Sequence, residues 1–261
     1  MRQFYFEYQD LTILQPLVGE LSWSSNLLIF SRVKEPKARE YYLRQAIEMG
    51  WSRNVLLHQI KTNAYERHQL ADKQHSFKDT LPQALSEQAS DMMKDLYVFN
   101  IFEEPRKLLE SEIENRMVEK IKTVLLELGY GFSFIANQYR IAHENREYFI
   151  DLLFHNRKLN CLVAIELKAG KFEPEHAGKM NFYLNLLDDF VKEPHENSAI
   201  GMIFCTDRDR FEVEYALRGV NKPIGVADYI LTKELPNELK HKLPNLADIE
   251  AEIRRELLLD T

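Results

Sequence analysis

Cysteine is nearly absent: two residues in 261 exclude a disulfide framework and leave no cysteine-built zinc site. Cys161 and Cys205 each stand alone in an apolar, strand-like run, so buried reduced thiols and a cytoplasmic location are expected. Long apolar runs are also missing. None approaches the roughly 18 residues needed to cross a bilayer, so no membrane association is expected. The start "MRQFYFEYQDLT" lacks the basic, apolar and small-residue segments of a signal peptide. Glycine numbers only nine, and no phosphate-cradling loop emerges. In "GKFEPEHAGKM" seven residues separate Gly170 from Gly178, and neither Ser nor Thr follows Lys179. There is no Gly-x-Ser-x-Gly and no dinucleotide fingerprint. His143-Glu144 and His195-Glu196 have no second histidine four residues on, which excludes a zinc-protease helix. Basic charge is short too: 34 Lys+Arg face 41 Asp+Glu. Residues 1–100 are balanced at 12 of each, so the deficit lies in the later 161 residues. That argues against passive, charge-driven nucleic-acid binding. It does not argue against a nuclease whose metal ion and local basic stripe offset its carboxylates.

What is present reads as an ordinary globular chain, 45% hydrophobic and 29% charged, long enough for two small domains or one large one. The first hundred residues read as helical. "LSWSSNLLIF" and "MGWSRNVLLHQI" each place Trp-Ser before a periodic apolar stretch, with Ser24 and Ser52 as N-caps. Between them a helix is expected from about Lys37 to Met49, with Gly50 as its C′ residue. This is the outline of a helix-turn-helix, in which Arg44, Arg53 and Lys61 would contact DNA. A plain helical hairpin inside a bundle explains the pattern as well. Residues 71–93 read as a polar, weakly periodic connection between domains, with partial helix left open. A long helix is expected from near Pro105 to Gly129, with a stripe of Leu109, Ile113, Met117, Ile121, Val124 and Leu128. The period then becomes extended, and the remainder reads α-β-β-β-α-β-α-β, ending in a polar tail from Pro236.

Within this stretch "YFIDLLFHNRKLNCLVAIELKAG", residues 148–170, sets two acids and a lysine at the ends of apolar strands. If "HNRKLN" turns a hairpin between Lys158 and Leu159, Asp151 faces Glu166, and Lys168 lies on the same sheet face. Cys161, Val163, Ile165 and Leu167 would face the core. Two ionised carboxylates that close repel, and a divalent cation removes the repulsion. Hard oxygen ligands on short side chains suit Mg²⁺ or Mn²⁺. A lysine beside such an ion can orient a water and stabilise charge on phosphate. Glu-x-Lys alone is weak, since it occurs at Glu35/Lys37, Glu166/Lys168 and Glu238/Lys240. Only the middle one ends an apolar strand opposite an acid. A cross-strand salt-bridge cluster at the sheet edge would produce the same spacing.

These residues resemble the PD-(D/E)XK nuclease core, the restriction-endonuclease-like fold. "GFSFIANQYRI", "EYFIDLLFHNRKLNCLVAIELKAGKFEPEHAGKMNFYLN" and "EYALRGVNKPIGVADY" are similar to the C-terminal domain of bacterial YhcG-like nucleases. "LSWS" and "EYYLRQAIEMGWSRNVL" resemble that family's helical N-terminal domain. The resemblance implies an α+β or α/β core, α-β-β-β-α-β around a mixed sheet, over 96–235. A mainly helical domain over 1–95 precedes it and a helical tail over 236–261 follows. It implies Mg²⁺- or Mn²⁺-dependent hydrolysis of nucleic-acid phosphodiesters, DNA first with RNA open. Asp151 and Glu166 would be the metal-binding acids and Lys168 the catalytic lysine. The fold usually adds a helical glutamate, Glu114 by alignment, with Glu119 second. The proline of the motif's name is replaced by Ile150. Lys179 and Tyr183 fit a polar-then-tyrosine spacing that would touch the DNA backbone, although Tyr183 also reads as core. Gln138 and Arg140 share a strand face that could line the cleft or simply be solvated. A different class competes: a non-catalytic DNA-binding or assembly subunit that keeps the fold. The apolar segments "LTILQPLVGEL" and "NLLIF" raise the expectation of a homodimer or of a protein partner at the helical domain.

Overall fold

The computed structural model describes residues 14–70, 74–99, 101 and 109–231. The first part is helical: α1 (Leu14–Glu20), α2 (Trp23–Arg32), α3 (Pro36–Glu48), α4 (Arg53–Lys61) and α5 (Ala64–Leu70). Their apolar faces close on a separate core of Leu28, Ile29, Tyr42, Leu43, Leu56 and Ile60. Ser52 caps α4 as expected, its hydroxyl accepting from Val55 N at 3.4 Å. Gly50 takes φ +61 to turn the chain between α3 and α4, a conformation that penalises a Cβ. The cap of α2 is Ser22 rather than Ser24. Its hydroxyl accepts from Ser25 N at 3.3 Å, which starts the helix two residues earlier and places Trp23 inside it. "NLLIF" mostly fills this domain's own core, with Leu28 and Ile29 buried and Leu27 exposed. Of "LTILQPLVGEL", residues 11–13 lie outside the described residues and the rest forms α1 and the Leu21 that follows it.

The segment 71–93 is partly helical, as the sequence left open, but it is more than a connection. It contains β1 (Gln74–His75), α6 (Phe77–Thr80) and α7 (Gln83–Met92), and β2 (Leu96–Phe99) follows. Phe77, Ala89 and Met93 are buried in the sheet's core, so a polar-looking stretch hides three anchoring side chains. The expected single long helix is two: α8 (Glu110–Glu119) and α9 (Ile121–Leu128). Lys120 leaves the helical region at φ −107, ψ 29, and beyond it α9 turns to pack against α4. The expected start at Pro105 lies outside the described residues. Of the stripe, Ile113, Met117, Val124 and Leu128 are buried, whereas Leu109 is exposed.

β3 (Phe132–His143), β4 (Arg146–Asn156), β5 (Cys161–Leu167), α10 (Pro174–Phe190), β6 (Ile200–Cys205), α11 (Arg210–Leu217) and β7 (Ile224–Leu231) complete the order. The seven strands of the described residues run β1-β7-β6-β5-β4-β3, with β2 also on β7. β3, β4 and β5 are antiparallel, while β5, β6 and β7 are parallel. The expected hairpin register holds: Leu152 pairs with Ile165 and Asn156 with Cys161. Asn156 closes the turn, its Oδ1 accepting from Lys158 N at 3.0 Å and Leu159 N at 3.1 Å.

Both sheet faces are covered, which the alternation of β5 alone did not reveal. Val163, Ile165, Leu167, Met202 and Phe204 pack against α8 and α9. Leu162, Ala164, Ile203 and Val226 pack against Met180, Leu184 and Leu187 of α10, with Val213 and Leu217 of α11. Burial on both faces is the usual state of parallel strands. Gly201 sets the distance of α10 from the sheet. A Cβ there would lie 2.5 Å from Met180 Cγ, so this approach needs glycine. Both cysteines are free and buried. Among the described residues, no helix is long and apolar enough to cross a membrane.

Candidate active site

β4 and β5 part company at the point where their acids sit. The last paired residues are Leu152 and Ile165. Beyond them the Asp151 side chain replaces the ladder: its Oδ2 accepts from Leu167 N at 2.9 Å. Glu166, 2% exposed, lies next to Leu167 at the carboxyl end of β5. Glu166 Oε1 is held by two ammonium groups, Lys168 Nζ at 3.1 Å and Lys179 Nζ. Glu166 Oε2 is buried with no hydrogen-bond partner. An unsatisfied buried carboxylate oxygen costs free energy, and native structures rarely keep one without a use. Burial first, and then the neighbouring Glu166 charge, push the Asp151 carboxyl up to about 6.

Lys168 is pinned along its whole length. Its N–H donates to Phe204 O at 2.8 Å, and its carbonyl accepts from Tyr229 Oη at 3.0 Å. Its Nζ lies between Glu166 and Glu110 Oε2, the latter at 3.3 Å. Glu110 also accepts from Ala169 N at 3.2 Å, so α8 grips the end of β5. The sequence reading missed Glu110. The signal was available, because Glu110 and Glu114 are four apart and share one face of α8.

Glu114 is buried, and its carboxylate accepts from Asn137 Nδ2 at 3.2 Å and Gln138 Nε2 at 2.5 Å. Gln138 Nε2 also lies 3.4 Å from Asp151 Oδ1, so one amide joins two acids. Successive strand residues ordinarily point to opposite faces. Gln138 escapes this because it adopts φ +44 two residues beyond the register irregularity between Phe134 and Ala136. That conformation costs a non-glycine residue about 1–3 kcal/mol, and such strain collects at functional sites.

The structure therefore brings together Asp151, Glu166, Lys168, Glu114, Gln138 and Lys179. Tyr183 is buried one turn beyond Lys179, whose Nζ lies 5.3 Å from its ring centroid. The other expected residues fall elsewhere. Glu119 is exposed and paired with Arg116 at 2.6 Å. Arg140 is paired with Glu147 at 2.5 Å on the exposed hairpin. Arg44 is paired with Glu40 at 2.8 Å on α3, and Arg53 opens α4; both lie on the helical part. A cavity of about 540 Å³ is lined by Tyr41, Trp51, Gln59, Arg67, Lys94 and Tyr130, among others, and by none of the clustered residues.

This set can hold a divalent cation. The buried Glu166 Oε2 lacks a partner, and the Asp151 charge is opposed by its neighbour. Both defects are cured by the same positive charge, and carboxylate oxygens are the donors that Mg²⁺ and Mn²⁺ prefer.

Comparison with known proteins gives the following. Residues 90–244 match the model of the YhcG PDDEXK nuclease domain, and residues 1–67 match the DUF1016 N-terminal domain. "Putative nuclease YhcG" of Escherichia coli (strain K12) is 30% identical over 267 residues, covering 91% of this chain and 71% of that protein. Among solved structures, a repair endonuclease from Pyrococcus abyssi matches at 18% identity, with 51% of this chain, 50% of that one, and a TM-score of 0.33. EndoMS in a complex with double-stranded DNA matches at 15% identity, over 52% and 49%, with a TM-score of 0.34. This chain spans about half the length of those two solved structures.

Proposed function

The chain belongs to the YhcG PDDEXK nuclease family, and we propose that it is a divalent-metal-dependent nuclease that hydrolyses DNA phosphodiester bonds at the Asp151/Glu166/Lys168 cluster. The observation that carries this is the unsatisfied Glu166 Oε2, buried beside a second acid whose ionisation it opposes. Asp151 and Glu166 would hold Mg²⁺ or Mn²⁺, which when bound compensates their charge and acidifies a coordinated water. Lys168 cannot wander, because its backbone and ammonium are both tied down. It is placed to orient the attacking water and to stabilise charge gathering on the phosphate. Glu114 acts through Gln138, which it holds against Asp151. The division into a helical domain over 1–95, a nuclease domain over 96–235 and a tail over 236–261 belongs to this proposal. So do DNA or protein binding by the helical domain, through Arg44 and Arg53, and homodimer formation.

The test is cleavage of linear, circular, single-stranded and branched DNA, with RNA alongside, in Mg²⁺, Mn²⁺ or EDTA. Glu166→Ala and Lys168→Ala proteins run beside the parent. The expected result is metal-dependent cutting of DNA that EDTA abolishes and both folded variants lose. Cutting of RNA alone would reverse the substrate. Binding without cutting, unchanged in both variants, would favour a non-catalytic DNA-binding subunit.

A further inference from the structure

We propose that Lys179 is a built-in counter-cation that occupies Glu166 in the metal-free protein, competes with the divalent ion for that carboxylate, and so sets the metal concentration at which the site loads. The inference rests on the metal reading above and concerns how that site is regulated.

Four acids gather here, Asp151, Glu166, Glu110 and Glu114, against two ammonium groups, those of Lys168 and Lys179. The two lysines differ in freedom. Lys168 is 13% exposed and fixed by the strand it ends and by Glu110. Lys179 is 44% exposed, stands on α10, and has Glu166 as its one ion-pair partner among the described residues. Tyr183 lies behind it, with the ring centroid 5.3 Å from Nζ. Lys168 is therefore a fixture and Lys179 a removable charge. Removal has a destination, because an ammonium swung off Glu166 keeps the Tyr183 ring beside it and faces solvent.

Competition follows from charge and position together. Both lysines converge on Oε1, and a divalent ion held by Glu166 and Asp151 would lie beside them. Placing two positive charges next to Lys179 repels it, and each binding event weakens the other, as linkage requires. Removing the ammonium while keeping the length of the side chain should therefore tighten metal binding. A residue that served only to contact the DNA backbone would leave metal affinity alone. A scaffold residue would lower stability with and without metal alike.

The experiment is calorimetric titration of Mn²⁺, and separately of Mg²⁺, into the full chain without nucleic acid. The proteins are the parent, Lys179→Met, Lys179→Arg and Glu166→Gln. The expected result is roughly tenfold tighter binding in Lys179→Met, parent-like binding in Lys179→Arg, and loss of binding in Glu166→Gln. Melting temperatures supply a second reading. Lys179→Met should melt lower than the parent without metal, and saturating Mn²⁺ should raise it by more than it raises the parent. Equal or weaker Mn²⁺ binding in Lys179→Met, with the parent binding normally, overturns this inference and leaves the metal site intact. Absence of binding in both the parent and Lys179→Met overturns the metal reading together with it.

Discussion

Glu127 and Glu166 are the glutamates most completely removed from solvent among the described residues, and they are treated in opposite ways. Glu127 on α9 is 0% exposed and saturated. Its Oε1 accepts from Arg67 Nη1 at 2.7 Å and Val98 N at 3.0 Å and meets Lys94 Nζ at 3.2 Å, while Oε2 meets His58 Nε2 at 2.8 Å. Burial alone would raise its pKa, but Arg67, Lys94 and His58 outweigh burial and hold it well below the usual carboxylate range. Glu166 is 2% exposed and left short, with two cations on one oxygen and nothing on the other. A buried charge that is fully paired holds elements together, here the helical part to the sheet part. A buried charge left incomplete marks a place where something else binds.

Removing each carboxylate should give opposite profiles. Glu127→Gln strands Arg67 and Lys94 without their counter-charge and is expected to cost about 3–5 kcal/mol of stability, read by urea unfolding. Cleavage by whatever fraction stays folded should be normal. Glu166→Gln should unfold within about 1 kcal/mol of the parent, because the lost ion pairs are offset by ending an unsatisfied buried charge. Its cleavage rate should fall at least about a hundredfold. Similar destabilisation in both variants would dissolve the distinction.

The next effect is one of pH. Asp151 titrates near 6 in the folded protein and near 3.9 when unfolded, so between those values the folded state binds more protons. Its contribution to stability is therefore present below about pH 4 and is lost as pH rises through 6. In EDTA the parent should lose about 2 kcal/mol across that window relative to Asp151→Asn, measured by urea unfolding at each pH. Glu127 has the opposite sign, since its depressed pKa makes the protein lose stability as pH falls below the ordinary carboxylate range. An Asp151→Asn profile that tracks the parent would break this contrast.

The smallest effect tests strain. Gln138→Gly relieves the positive φ at 138 but removes the amide between Glu114 and Asp151, so net stability should move by less than about 1 kcal/mol. Cleavage should still drop about tenfold, because Asp151 loses its support. A loss of stability without loss of cleavage would make Gln138 a structural residue only.

Much of this was legible in the chain. The hairpin register, Ser52 as a cap, both buried cysteines and the meeting of Asp151, Glu166 and Lys168 follow from period, parity and turn chemistry, which are local. The errors share a cause. The anchors Phe77, Ala89 and Met93 hide in polar surroundings, and β2, itself an apolar run, pairs with a strand more than a hundred residues away. Arg140, left open between the cleft and a solvated strand face, and Glu119, the second choice behind Glu114, each pair with a neighbour on the surface. Glu127 left no trace in the sequence, since its donors Arg67, Lys94 and His58 come from segments that meet only when α4 and α5 dock against α9.

By itself, the sequence determined which strands alternate and where the acids and lysines fall along them. Tertiary structure alone decided how those charges are shared. It set Lys179 on Glu166 through the approach of α10 over Gly201, placed Glu110 on Lys168, and left one buried oxygen unmet. The reason is range: side-chain periodicity is written in neighbouring residues, whereas the balance of charge in a buried cluster depends on every element that packs around it.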